Sequence, residues 1–345
     1  MSEVYAGLDV SDKQTHICLV DTTGAVVWRG HCATDPDVIA KLLARRAANL
    51  SVPLVRAVLE TGPLSAFLYH GLVARGLAVV CICARHAKGV LSTRVNKTDP
   101  NDAEGLAQLA RTGWYTAEHV KDTETHLDRA HLRVREQLVK SHRDMANQLR
   151  GLLKLFGLRL GQATTPAKRH ARVTLLLARM PALRPALLPL LEALTALEGE
   201  LAKVNKSLKA RAAQDPVARH LMTAPGVGPL TALVYKSAIE DPGRFARAAH
   251  VGAYAGLTPR RYQSGELDLA GRISKGGDGL LRHALYEAAN SLLARLKRDC
   301  ALKTWGRALQ ERKGAKRARV AVARKLAVLL HRLWQDQTDF RWPAA

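Results

Sequence analysis

The stretch VYAGLDVSDKQTHICLVDTTGAVVWRGH, residues 4–31, decides how the chain begins to fold. It contains three runs rich in apolar and β-branched residues, 4–10, 15–21 and 25–31, which the short polar turns DKQ and TTG separate. Short runs of this kind with polar turns between them are typical of β-strands joined as hairpins. The segment therefore predicts three antiparallel strands in a meander.

Helix and strand signals alternate in the residues that follow. Asp35 can cap a helix and Pro36 fits its first turn, so a helix is expected to begin there. LVRAVLE (54–60) and LAVVCIC (77–83) predict buried strands, with a helix over 63–75 between them. Three antiparallel strands followed by αβαβα is the order of a ribonuclease H-like domain, so we expect an α/β fold for the N-terminal part.

Four acidic residues stand where these elements end or begin. Asp9 and Glu60 each end an apolar strand, where a carboxylate is costly unless something cationic binds it. Asp99 and Asp102 lie three residues apart in KTDPNDA, so on one helix both can face the same way. Phosphodiester chemistry with two divalent ions needs several carboxylates that converge from separate elements. The four residues therefore predict a metal site.

Each carboxylate also has a simpler interpretation. Asp99 could be the N-cap of a helix with Asp102 three positions later, a pattern found at many helix starts. Asp9 alone could belong to a turn. The metal site is the more specific hypothesis because the four residues follow the order in which a ribonuclease H-like sheet would gather them at one edge.

From about Glu124 the pattern becomes wholly helical. One segment has apolar residues at alternating spacings of three and four: Leu187, Leu190, Leu194, Leu197, Leu201, Val204 and Leu208. A less regular earlier segment could be its antiparallel mate: Leu127, Val134, Leu138, Met145, Leu149, Leu152 and Phe156. This spacing predicts central coiled-coil helices that act as a spacer or a dimerisation element.

After Asp215 the chain becomes glycine-rich, basic and mostly helical. TAPGVGPLTALVY (223–235) has the sequence form of a helix-hairpin-helix motif, in which backbone N–H groups at a helix start attract phosphate. An ordinary turn between two helices would explain the same residues. Lysine and arginine are frequent over residues 297–325 and have few acidic neighbours, which favours a nucleic-acid surface.

Composition narrows the class of partner. The 345 residues include 53 Lys and Arg against 30 Asp and Glu, a net charge of +23, which argues for a polyanion such as nucleic acid. No apolar run reaches the roughly 20 residues that span a bilayer, so no membrane partner is expected. Five cysteines lack the spacing of a zinc site. We expect a cytoplasmic protein with reduced cysteines.

Six motifs together resemble one known family. They are GLDVSDK, VLETGP and NKTDPNDA in the first half, and APGVGPLTA, RFARAAHVGAYAGLTPRRYQSG and GRISKGGDGLLRHALY in the second. They are similar to those of the DEDD insertion-sequence transposases, which are bridge-RNA-guided serine recombinases with a RuvC-like N-terminal domain. The resemblance implies a RuvC-like metal-binding catalytic domain over 1–122, a helical coiled-coil spacer or dimerisation region over 123–214 and a C-terminal transposase domain over 215–345.

The same resemblance implies roles for individual residues. Asp9, Glu60, Asp99 and Asp102 would be the catalytic carboxylates that bind Mg²⁺ or Mn²⁺. Ser264, in PRRYQSG, would be the catalytic nucleophile that becomes joined to DNA. The implied partners are donor and target DNA, a structured guide RNA, and further copies of the chain in a dimer or tetramer. The implied activity is excision and insertion of a mobile DNA element through a covalent phosphoserine intermediate.

The local sequence around the serine suits that role. Ser264 precedes Gly265, which indicates an exposed turn, and Arg260 and Arg261 can hold the phosphate that it attacks. Lys275 and Arg282 are expected to make further nucleic-acid contacts.

Other interpretations of this region stay open. Ser264 could be a loop hydroxyl that caps a turn. Ser274 in RISKGG is a rival nucleophile, and Tyr262 would be the choice in a tyrosine recombinase.

Two alternative functions follow from the same residues. The first is a RuvC-like metal-dependent DNA nuclease or junction resolvase in which water attacks and no covalent step occurs. The second is a nucleic-acid-binding protein without catalytic activity, in which the four carboxylates would be dispensable.

Overall fold

The N-terminal unit is built on a five-stranded sheet. The computed structural model describes residues 3–92, 97–162, 165–265 and 267–343, and the chain divides into the units Met1–Asp122 and Thr123–Ala345. The strands of the first unit are β1 (Val4–Val10), β2 (Gln14–Asp21), β3 (Val26–Ala33), β4 (Leu54–Glu60) and β5 (Val79–Ile82). Their order in the sheet is β3-β2-β1-β4-β5. β1, β2 and β3 are antiparallel neighbours, as predicted, while β4 runs parallel to both β1 and β5.

Helices cover both faces of this sheet because its strands place apolar side chains on both faces. The helices are α1 (Pro36–Leu50), α2 (Ser65–Val73), α3 (Ala84–Leu91) and α4 (Asp99–Thr112). Leu8 and Leu59 face the core shared with α1 and α2. Val58 faces the opposite core, where it packs with Leu106 of α4 and Ala87 of α3. The N-terminal unit is therefore a mixed α/β structure.

Helix α4 lies directly on β1, and Gly7 makes the close approach possible. A Cβ atom at Gly7 would stand 2.0 Å from the carbonyl oxygen of Ala103 and 2.2 Å from the amide nitrogen of Ala107. No side chain fits in that space. The amide of Gln108 also donates to the carbonyl oxygen of Gly24 at 2.7 Å. These contacts fix the helix relative to the sheet.

The second unit is helical except for one β-hairpin. Its helices are α5 (Thr123–Leu155), α6 (Pro166–Arg179), α7 (Arg184–Gln214), α8 (Pro216–Met222), α9 (Pro229–Ile239), α10 (Ala249–Tyr254), α11 (Gly279–Ala294), α12 (Ala301–Lys313) and α13 (Ala315–Gln335). The hairpin consists of β6 (Pro259–Ser264) and β7 (Leu267–Ile273). None of the described helices is long and apolar enough to cross a membrane.

The two longest helices, α5 and α7, pack as an antiparallel pair. Arg135 Nε donates to Asn205 Oδ1 at 2.7 Å, and His142 Nε2 lies 2.7 Å from Glu198 Oε1. The residue numbers of the bonded partners decrease along α7 as they increase along α5, so the two helices are antiparallel. In α7 the predicted apolar seam is largely correct, since Leu187, Leu194 and Leu208 are buried.

The predicted seam on α5 is partly wrong. Leu127, Val134 and Phe156 are exposed, while Leu132 and Leu153 occupy buried positions. Arg135 and His142 stand at the interface with α7, so counting apolar residues alone assigned the wrong face to the first half of this helix.

Two cores stabilise the second unit. One holds the far end of the helix pair together with α6, around Leu149, Val173 and Leu191. The other joins α8 to α13 and also contains Leu132 and Leu208 of the helix pair. The helices of 123–214 therefore share a core with the residues that follow, and a separate domain starting at 215 stays a prediction.

The segment with the helix-hairpin-helix sequence, residues 223–235, forms the tight turn after α8 and the first two turns of α9. Gly226 in this turn has a φ of +79°, and a Cβ atom there would stand 2.5 Å from the carbonyl oxygen of Ala288 in α11. Only glycine combines that backbone conformation with so close an approach. The turn is thus pressed against α11.

Candidate active site

Asp9 and Glu60 lie side by side at the ends of two neighbouring parallel strands. Leu8 of β1 pairs with Leu59 of β4, so the next residue of each strand is one of the two acids. Side chains alternate between the faces of a sheet. Asp9 therefore shares its face with Gly7, which touches α4, and Glu60 shares its face with Val58. Both carboxylates are half-buried on the face that α4 covers.

Asp99 and Asp102 lie in the first turns of α4, above that face. The N-cap is Thr98, whose Oγ1 accepts from the backbone N–H of Asn101 at 3.4 Å. The interpretation of Asp99 as the N-cap is therefore wrong, because Thr98 takes that place. Asp99 is the first residue of the helix and is exposed, and Asp102 is half-buried one turn later. The sheet edge and the helix start bring the four predicted carboxylates into one region.

The carboxylates disturb one another electrostatically. Burial, followed by the negative charges of Asp99, Asp102 and Glu60, raises the pKa of Asp9 to about 6. Burial and then the charge of Asp102 also raise the pKa of Glu60. Lys97 acts in the opposite direction on both groups. One lysine does not offset four acids, so the site favours an additional cation.

This donor set suits a hard divalent metal ion. Carboxylate oxygens are the ligands that Mg²⁺ and Mn²⁺ take in proteins. Mutual repulsion that raises a pKa is also what a cation would relieve. Across 3–92, 97–162, 165–265 and 267–343, no three His, Cys, Asp or Glu side chains already form a group that could hold a metal ion. The four carboxylates nevertheless suit a divalent metal ion, because their oxygens are the right ligands and they lie in one region.

His16 is a neighbour of this region that sequence reasoning missed. It stands opposite Asp9 in the β1–β2 register, and its Nε2 lies 4.0 Å from Asp99 Oδ2. Its ring stacks on that of His31 in β3, with ring centroids 5.5 Å apart. The signal was available, since antiparallel pairing of the first two predicted strands brings position 16 beside position 9.

Ser264 lies in the second unit, at the end of β6. It pairs with Leu267 across the hairpin, and Gly265, with a φ of +57°, begins the connection. All six residues of β6 are exposed, so the hydroxyl is accessible to solvent. The sequence indicated an exposed turn, and the structure instead makes Ser264 the last residue of a strand beside that turn.

The rival side chains are placed differently. Ser274 is half-buried, and its Oγ accepts from the backbone N–H of Gly276 at 3.3 Å, so it shapes the turn after β7. Tyr262 is exposed on the same hairpin as Ser264. Exposure alone therefore disfavours Ser274 and does not separate Ser264 from Tyr262.

The predicted cationic residues occupy two kinds of environment. Arg261 forms a bidentate pair with Asp268 across the hairpin, at 2.7 and 2.6 Å, and both side chains are exposed. Arg260 is exposed and donates to the carbonyl oxygen of Ser274 at 3.2 Å. These two side chains extend from the strand that carries Ser264.

Lys275 and Arg282 stand near the base of the hairpin. Lys275 is exposed and has a φ of +54°. Arg282 is half-buried, and its Nη1 donates to the carbonyl oxygens of Ala255 and Gly276 at 3.1 and 3.2 Å. Those bonds give Arg282 a structural task, and its contact with nucleic acid stays a prediction.

Both candidate regions fall within segments that match known transposases. A sequence model for DEDD transposases of the IS110 type, described as "Transposase", matches residues 6–157, which include the four carboxylates. A second, described as "Transposase IS116/IS110/IS902 family", matches residues 218–305, which include Ser264.

Individual relatives match over most of the chain. The protein "Transposase for insertion sequence element IS1111A" of Coxiella burnetii is 30% identical over 342 residues, 97% of this chain and 90% of that protein. The "Probable family 20 transposase" of Pseudomonas aeruginosa is 31% identical over 255 residues, 71% of this chain and 74% of that protein. These matches show that the chain belongs to the IS110 family of DEDD transposases and is a DNA transposase.

Proposed function

We propose that this transposase excises and inserts a mobile DNA element through a covalent intermediate on Ser264, with the four carboxylates as its metal site. The N-terminal unit would be a ribonuclease H-like, RuvC-like catalytic domain. The strand order β3-β2-β1-β4-β5, with three antiparallel strands followed by parallel ones, supports that assignment. The observation that carries the metal site is the placement of Asp9 and Glu60 on neighbouring strands beneath the start of α4, where the charges of Asp99 and Asp102 help to raise the pKa of Asp9.

Asp9, Glu60, Asp99 and Asp102 would hold Mg²⁺ or Mn²⁺. When bound, such an ion supplies charge stabilisation for the phosphate oxygens of the transition state. Asp9 and Glu60 would be held in place by the strands that end at them. Asp99 and Asp102 would be held by α4, whose contact with β1 at Gly7 leaves no space for adjustment.

Ser264 would supply the nucleophile. Its Oγ forms a bond to the scissile phosphorus while the bond from phosphorus to one deoxyribose oxygen breaks, and the hydroxyl proton passes to that leaving oxygen. Attack by a new strand end reverses the step, forming the phosphodiester and releasing the serine hydroxyl. No bond energy is lost to water, which suits an enzyme that must rejoin what it cuts. Arg260 and Arg261 would hold the phosphate.

The partners would be donor and target DNA and a structured guide RNA, and the active form a dimer or tetramer. The net charge of +23 is compatible with carrying two polyanions together. The helix pair α5–α7 would act as a coiled-coil spacer or dimerisation region over 123–214, followed by the transposase domain over 215–345. The protein would work in the cytoplasm of a prokaryote, at the nucleoid.

A matched pair of serine variants tests the covalent step. Purified Ser264→Ala and Ser274→Ala proteins are incubated with end-labelled element DNA, guide RNA and Mg²⁺, and protein-linked DNA is resolved on a denaturing gel. We expect Ser264→Ala to lose the adduct and to retain nucleic-acid binding, and Ser274→Ala to keep both. An adduct that persists in Ser264→Ala rejects the assignment.

The same gel separates the leading alternative. A RuvC-like nuclease or junction resolvase would use water, because its carboxylates do not require a protein nucleophile. In that case Ser264→Ala would cut strands at the parental rate, and no protein-linked band would form with any variant.

A further inference from the structure

A groove of about 1690 Å³ opens on the second unit at the foot of the hairpin that carries Ser264. One wall consists of α12 and α13. The lining also includes Pro259 of β6, three residues of β7 (Gly271, Arg272 and Ile273) and the C-terminal residues around Phe340. The groove and the hairpin therefore share residues, and a ligand in the groove would lie against the root of β6 and β7.

Cationic side chains dominate the polar part of the groove. Five of them lie on α13: Lys316, Arg317, Arg324, Lys325 and Arg332. Arg272, Lys275 and Arg341 line the other sides. Within the part of the chain that the structure describes, no carboxylate lines the groove. Such an uncompensated cluster attracts a polyanion.

Apolar side chains separate these cations in a regular way. Residues 316, 320, 324, 328 and 332 lie four apart along α13 and read Lys, Val, Arg, Val, Arg. The neighbouring row at 317, 321, 325 and 329 reads Arg, Ala, Lys, Leu. Residues four apart lie on one face of a helix. The wall of the groove thus alternates charged and apolar positions.

The groove also contains an aromatic ring. Trp305 of α12 is half-buried, and the Nζ atom of Lys325 lies 3.9 Å from the centroid of its ring. An indole ring beside cations is the arrangement on which nucleic-acid bases stack.

This combination favours an unpaired strand over a duplex. A duplex presents phosphates and groove edges but hides the apolar faces of its bases, so it cannot use the valines, Leu329 and Trp305. An unpaired strand alternates phosphates with exposed base faces, which matches the alternation along α13. We favour DNA over RNA because the hairpin beside the groove carries Ser264, the serine proposed to attack DNA. Pro259, which lines the groove, lies five residues from Ser264 along β6, a distance of roughly 16 Å at the spacing of a strand.

We propose that this groove holds a short unpaired stretch of the DNA strand next to the phosphate presented to Ser264, with Trp305 stacking on a base. The cations on α13 bind the flanking phosphates. The position of the strand in this proposal rests on the proposed role of Ser264. The groove would then determine on which side of the cleaved phosphate the DNA strands are separated.

The first test compares two double variants of equal charge change in the full-length protein. Lys316→Gln with Arg332→Gln removes two cations that line the groove, while Arg312→Gln with Lys313→Gln removes two exposed cations at the end of α12. Binding of a labelled single-stranded DNA, its duplex and the RNA of the same sequence is measured by anisotropy over a range of salt concentrations. The groove variant should lose about tenfold or more in affinity for single-stranded DNA, and its salt slope should fall by about 1.4.

Several outcomes of that comparison would overturn the proposal. Equal losses in both double variants would mean that the groove is only part of a general basic surface. An equal loss for duplex would exclude an unpaired ligand. A loss confined to RNA would assign the groove to the guide, and a loss for none of the three nucleic acids would point to an acidic protein partner.

The ring is tested separately. Trp305→Ala should weaken single-stranded DNA binding roughly 5- to 100-fold and leave duplex binding unchanged, since stacking acts on exposed bases. Trp305→Phe should restore most of the affinity. Misfolding of the alanine variant alone would give the same difference between the two variants. Because Trp305 packs against the core of the second unit, each variant is measured at a temperature at which circular dichroism shows it folded, and a Phe variant as weak as the Ala variant rejects stacking.

Photocrosslinking separates this proposal from the proposed function. Element DNA with a photoreactive base beside the cleavage site is irradiated with the protein, and the attached peptide is identified by mass spectrometry. A crosslink to α12 or α13 in a reaction that also gives the Ser264 adduct supports both. An adduct without a groove crosslink overturns the groove alone, and a groove crosslink without any adduct overturns the serine mechanism alone.

Discussion

The carboxylate region and the serine hairpin are held in opposite ways. Asp9 and Glu60 end central strands of a sheet covered on both faces, and α4 touches that sheet through a glycine. Ser264 ends the first strand of a two-stranded hairpin, and that strand is exposed along its whole length. Groups that bind an ion must be preorganised, whereas a group that attacks a bound strand must be reachable. The comparison predicts that stability and activity respond differently to changes in the two regions.

The largest effect is expected at Asp9. Asp9→Asn should lower strand cleavage by about 10³-fold or more, because one proposed metal ligand and its charge are lost. Adduct formation is measured by gel and unfolding by circular dichroism. Since the substitution also removes a repelled carboxylate, the metal-free variant should be at least as stable as the parent at pH 7. A folded Asp9→Asn protein with parental activity would contradict a catalytic role for the carboxylate region.

The next effect concerns the contact between α4 and β1. Gly7→Ala places a methyl group 2.0 Å from Ala103 O, so the helix must move, and we expect a loss of about 3 kcal/mol in the free energy of unfolding. Gly62→Ala is the control, because a Cβ there meets nothing within 4 Å. Denaturant titration measures both. Equal stability of the two variants would show that the helix is not held by this contact.

A smaller effect is expected from pH. The pKa of Asp9 is about 6 in the folded protein and near 3.9 in an unfolded chain, so the folded state binds the proton more tightly. Without metal, the stability of the N-terminal unit should therefore decrease as pH rises from about 4 to 6 and level off above. Unfolding temperatures of the parent and Asp9→Asn are compared over this range. Identical slopes would contradict the raised pKa.

The smallest effect is expected on the hairpin. Asp268→Asn breaks the exposed pair with Arg261, and exposed ion pairs contribute little, so the unfolding temperature should stay unchanged within measurement. Adduct formation should change at most severalfold, because Arg261 is released rather than lost. A large fall in stability would mean that the hairpin is held as firmly as the sheet, and the contrast would disappear.

The N-terminal unit was predictable because each of its signals is local. The apolar, β-branched runs within residues 4–31 predicted three strands within a few residues of their observed ends. The end of the first of these strands also located Asp9, and the end of LVRAVLE (54–60) located Glu60. His16 was missed because its position depends on strand register, which no single run of residues displays.

The hairpin and half of the helix pair were not predictable in the same way. The residues of β6 are polar on both faces, so no period of two marks them as a strand, and the region was expected to be mostly helical. In α5, Arg135 and His142 face α7 because they bond to partners 70 and 56 residues away along the chain. Lys303 was counted with the basic surface, yet it is buried and donates to the carbonyl oxygen of Leu296 at 2.8 Å.

The exposed hairpin has a practical consequence for engineering. Because β6 contributes no buried side chain, residues 260–264 and 267–269 can be exchanged for the corresponding loop of a relative without repacking the helices beneath. Such chimaeras would keep the same helical core while changing the surface that we propose faces DNA.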